Sequence, residues 1–64
     1  MYFSYHKKII DKIKNDELKF FEFVDEYNSI SPCLVLYFND GTKYPIREHR
    51  FDEYVKLLEI YIVK

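Results

Sequence analysis

The stretch Cys33–Phe38 reads CLVLYF, six residues without polar alternation, closed by Pro32 before it and by Asn39-Asp40-Gly41 after it. A strand with one wet face alternates apolar and polar residues. This run is apolar on both faces and rich in β-formers, so it reads as a central strand covered on both sides. In a chain of 64 residues, few residues remain to supply that cover.

The neighbouring segments set the rest of the fold. Thr42–Arg47 alternates, with Thr42, Tyr44 and Ile46 against Lys43, Pro45 and Arg47. Pro45 has no N–H for a ladder, which assigns this strand to an edge. Gly41, the only glycine, supplies the positive φ that a hairpin turn or its bulge requires. Phe3–Lys14 carries Tyr5, Ile9 and Ile13 at four-residue spacing, with Ser4 placed to cap it, and reads as an amphipathic helix closed by Lys14-Asn15-Asp16. Residues 48–61 repeat the helical spacing at Phe51, Tyr54, Val55, Leu58 and Tyr61, with Ile62 just beyond. Asp52 and Glu53 stand early in that segment, as a helix dipole favours, and the tail Glu59–Lys64 is rich in β-formers.

Leu18–Tyr27 fits two periods. As a strand it places Phe21, Phe23 and Tyr27 on one face and Leu18, Phe20 and Val24 on the other. As a helix it stripes Phe20, Val24 and Tyr27. Three phenylalanines, a valine and a tyrosine favour the strand. Asn28–Pro32 then reads as a loop. The order is α-β-β-β-α, an α+β single domain over 1–64 in which a three-stranded antiparallel meander packs with two helices. Double-stranded RNA-binding domains share this order and approximate length. The basic KKxAK that starts their last helix has no counterpart in Arg47–Tyr54, so no family follows from the order.

A domain this short buries only about 60% of its unfolded surface. Cys33 is the only cysteine, so no disulfide can form within the chain, which fits a reducing compartment. The longest apolar run falls far short of the roughly 20 residues that span a bilayer, and the start lacks a secretory h-region. A cytoplasmic protein with no membrane partner is the expectation. Phe, Tyr, Met, Ile, Asn and Lys account for 32 residues, and Gly, Ala, Arg and Pro for 5. That balance favours AT-rich codons, and with them a phage or mobile-element source whose small proteins inhibit host proteins.

The residues offer little chemistry. Cys33 lies in the apolar strand and reads as a small buried hydrophobe. His6 and His49 share no ligand spacing with each other or with Cys33, so neither a metal nor another cofactor is expected. One glycine cannot build a phosphate loop. With no nucleophile, base and orienting group in reach of one another, no enzyme is expected.

What remains is surface. If Leu34, Leu36 and Phe38 face the helices, then Cys33, Val35 and Tyr37 face outward with Lys43 and Arg47. Either Phe21, Phe23 and Tyr27 or Phe20 and Val24 complete that face. Aromatic residues beside cations are common interface anchors. The expected protein-interface set is therefore Phe21, Phe23, Tyr27, Val35, Tyr37, Lys43 and Arg47, for a protein partner or for self-association as a homodimer. The alternative is a nucleic-acid-binding helix that carries Lys7, Lys8, Lys12 and Lys14.

Overall fold

The computed structural model describes the backbone of residues 2–63 and the side chains of residues 5–62. Its elements are α1 (Tyr2–Lys14), β1 (Leu18–Val24), β2 (Cys33–Phe38), β3 (Lys43–Arg47), a 3-10 turn (Glu48–Arg50), α2 (Phe51–Leu58) and a closing π-turn (Glu59–Val63). The α+β order α-β-β-β-α holds. The sheet runs β1-β2-β3, antiparallel throughout, with β2 in the centre.

Both helices cover the same face. Ile9 and Ile13 of α1 and Tyr54 and Leu58 of α2 pack with Leu18, Leu34, Leu36, Phe38 and Ile46 into one buried cluster. Each such side chain taken from water contributes on the order of 1.5–3 kcal/mol. Helix α1 begins at Tyr2, so Ser4 lies inside it rather than before it, and the Ser4 side chain falls outside the described residues. The helix ends in a Schellman turn. Glu17 N–H donates to Lys12 C=O and Asp16 N–H to Ile13 C=O, with Asp16 at φ 64°.

Phe38–Thr42 is a tight hairpin. Gly41 N–H donates to Phe38 C=O, Phe38 N–H donates to Thr42 C=O, and Gly41 takes φ 90°. That is a type I turn closed by a left-handed glycine bulge, the use expected of the single glycine. Asp40 Oδ1 reinforces it by accepting from Thr42 N–H at 3.0 Å and Thr42 Oγ1 at 2.6 Å.

Three features depart from the sequence reading. First, β1 stops at Val24, and Tyr27 belongs to a second small hairpin. Tyr27 and Ile30 exchange two backbone hydrogen bonds of 2.9 Å across Asn28 (φ 51°) and Ser29 (φ 69°), the double positive φ of a type I′ turn. The Ser31–Pro32 peptide that follows is cis. Second, the ladder slips between Leu18 and Phe20, so Leu18 pairs with Phe38 but Phe21 pairs with Leu36. The extra residue, Lys19, reverses the alternation, and Leu18, Phe21 and Phe23 share the helix face. Third, the chain after α2 widens into a π-turn, which rotates the last residues out of phase. Tyr61 and Ile62 are consequently exposed, although they continue the helical stripe in sequence.

Candidate functional site

The sheet face away from the helices is built from three cross-strand rows. Phe20, Tyr37 and Lys43 form one, Glu22, Val35 and Pro45 the next, and Val24, Cys33 and Arg47 the last. The first row is a stack. The Phe20 and Tyr37 rings lie 4.2 Å apart and nearly parallel, at 14°, and Lys43 Nζ sits 5.8 Å from the Tyr37 centroid. Tyr37 donates its hydroxyl to Glu22 Oε2 at 2.8 Å, and this bond to a carboxylate raises the Tyr37 pKa above its usual value. Phe20, half-exposed at 48%, forms the outer end of that ledge.

Cys33 and Val35 lie on this face and are nevertheless fully buried, although no helix packs there. We assign their cover to the connection between β1 and β2. Its Ile30 meets Pro45 and Arg47 around one cavity, and the Tyr27 phenol lies near enough to raise the pKa of Tyr37. Both Tyr27 and Ile30 are half-buried. The expected interface set therefore divides. Tyr37, Lys43 and Arg47 stand on the helix-free face and reach solvent. Val35 is on that face but closed to any partner. Phe21 and Phe23 are on the opposite face because the Lys19 bulge shifts them, and Phe23 rests edge-on against Phe51 at 5.3 Å. Tyr27 lies off the sheet in its own hairpin. Phe20, weighed in sequence as the alternative to Phe21 and Phe23, takes the place they were given.

The two sheet edges differ. Pro45 C=O accepts the Tyr5 hydroxyl at 3.3 Å, so the backbone of Pro45 points away from β2. Antiparallel alternation then directs Val35 toward β1 and its partner Glu22, and directs the N–H and C=O groups of Phe21 and Phe23 outward. The β3 edge is blocked by proline, capped by Tyr5 and flanked by Lys43 and Arg47. Among the described residues, the β1 edge carries none of these guards from Phe20 to Val24.

The four lysines of the nucleic-acid reading do not form one cationic track. Lys7 pairs with Asp11 at 3.2 Å. Lys12, only 16% exposed, holds Asp40 Oδ2 at 2.8 Å and Glu17 Oε1 at 3.4 Å while lying over the Phe38 ring. Lys8 and Lys14 are exposed and make no ion pair among the described residues.

Near the start of α1 a small polar network joins both helices. His6 Nδ1 lies 2.8 Å from the Tyr54 hydroxyl. Burial pushes the Tyr54 phenol up to about 12, opposed by Arg50 beside it. Burial and then Arg50 lower the His6 pKa, so the imidazole is neutral at neutral pH. The phenol keeps its proton, and with Arg50 facing its oxygen we assign it as donor to Nδ1. Among the described residues, no group of three or more His, Cys, Asp or Glu side chains is placed to hold a metal ion, and no helix is long and apolar enough to cross a membrane.

No protein-family model, curated protein or solved structure matches this chain.

Proposed function

We propose that the protein is a non-enzymatic interaction module that associates with a second copy of itself by adding strand to strand at β1. The bare β1 edge carries this reading. It is flanked by an exposed phenylalanine on each face, Phe20 at 48% and Phe23 at 54%. Strand addition there satisfies the outward N–H and C=O groups of Phe21 and Phe23 and removes both rings from water. Two copies related by a two-fold axis through Phe21 join their sheets into six strands and set Glu22 opposite Phe20 of the second copy. An axis through Glu22 would instead bring two carboxylates face to face, which is unfavourable. A seven-residue edge lies at the small end of protein interfaces, so the dimer is weak.

Inhibition of a host protein, the use that the codon bias favours, would run through the same edge, with the host chain adding its strand in competition with the second copy.

Sedimentation across roughly 10 μM to 1 mM tests the dimer. The expected result is a mass that rises toward twice the chain mass, and a monomer throughout for Phe23→Lys, whose charge guards the edge as natural edge lysines do. Circular dichroism of the variant should match the parent, because lysine keeps the backbone N–H and the Phe23 side chain it replaces is already 54% exposed, with only an edge contact to Phe51. A parent that stays monomeric over the whole range, or a folded Phe23→Lys that dimerises equally well, would sink the proposal.

A further inference from the structure

At the outer edge of β3 lies a cavity of about 260 Å³. Tyr5, Ile30 and Pro45 give it an apolar side. His6, His49, Arg47 and Arg50 give it a polar one. Two arginines and two histidines thus line it from α1, the end of β3 and the 3-10 turn, and no carboxylate is among the described lining residues. Outside the lining, Glu53 is held by Arg50 Nη2 at 3.0 Å.

Arg50 Nε–H is shut from solvent and has no hydrogen-bond partner among the described residues, so its terminal nitrogens are the atoms that can meet an occupant. The Tyr54 hydroxyl, donated to His6 Nδ1, leaves the neutral His6 with its proton on Nε2, a further N–H donor in a cavity wall.

We propose that this cavity binds a small phosphate monoester, with Arg47 and Arg50 on the phosphoryl oxygens and the organic group against Tyr5, Ile30 and Pro45. A phosphoryl group offers three terminal oxygens to the surrounding donors, whereas a carboxylate offers two. A bare phosphate leaves most of the volume and the entire apolar side unused. The site is on the sheet edge opposite β1 and stands independently of the dimer.

The test is titration of isotope-labelled protein with three probes: adenosine 5′-monophosphate, adenosine and inorganic phosphate. Side-chain resonances of Arg47, Arg50, His6 and His49 report binding. The monophosphate should shift all four groups and saturate below about 10 mM. Adenosine should have no effect, and inorganic phosphate should bind at least roughly tenfold more weakly than the monoester. Arg47→Gln, at an exposed position with no ion pair among the described residues, should keep the parent's melting temperature and lose affinity at least roughly tenfold. Absence of shifts with the monophosphate at about 10 mM overturns the site. Equal binding of phosphate and monophosphate overturns the monoester assignment, and an unchanged affinity in folded Arg47→Gln removes the assigned role of Arg47 and with it the proposal.

Discussion

Lys12 Nζ holds Asp40 and Glu17 together, and through Asp40 the last turn of α1 is tied to the β2–β3 hairpin, 28 residues further along the chain. The hydrogen bond from Lys12, and then those from Thr42, keep the Asp40 carboxyl well below the usual carboxylate range. Its folded pKa is thus depressed relative to an unfolded value near 3.8. The stability this pairing contributes is fully present above that unfolded value and is lost as pH falls toward the folded one. Asp40→Asn should therefore melt lower than the parent at about pH 7, and the gap should narrow by about pH 3. Thermal melts of both proteins at the two pH values check it. A gap that stays constant would mean that the carboxylate contributes nothing. In sequence, Lys12 was one of four equivalent helix lysines. Only the hairpin geometry, which brings Asp40 against α1, separates it from Lys8 and Lys14.

Among the elements, α1 ends on a residue in an awkward conformation. Asp16 holds φ 64°, a region that costs an L-residue on the order of 1 kcal/mol and glycine almost nothing. It also places a negative charge at the negative end of the helix. Asp16→Gly should stabilise the protein by about 0.5–1 kcal/mol, read as a higher urea midpoint at unchanged slope. A midpoint at or below the parent's would show that the Asp16 side chain has an offsetting partner. The elements were legible in sequence where one signal dominated. CLVLYF could only be central, Pro45 could only be at an edge, and Gly41 could only turn a hairpin. They were not legible where the signal depended on register. A bulge at Lys19 has no glycine to announce it, yet it exchanges the faces of Phe20 and Phe21. The Tyr27–Ile30 hairpin uses Asn28-Ser29 where Asn-Gly would have been recognised. The fate of Val35 followed from that hairpin, so its burial was equally hidden.

At the scale of the whole molecule, the Cα radius of gyration is 11.1 Å, close to the roughly 10.7 Å expected of a compact chain of this length. The chain reaches that density with both helices on one side of the sheet and only a short irregular connection on the other. One side of β2 is therefore covered by the two helices, and the other by that connection, which can act as a flap. Cys33 lies beneath the flap and is the only thiol. It becomes a built-in clock. If the connection lifts without the core melting, a thiol reagent will label Cys33 at a rate that responds only weakly to urea. If the two covers come away together, labelling will follow global unfolding with its full urea dependence, and the flap is no separate unit. Because Ile30 lines the Arg47–Arg50 cavity, an occupant there should slow that clock, and the one sulfur atom would then report whether the cavity is filled.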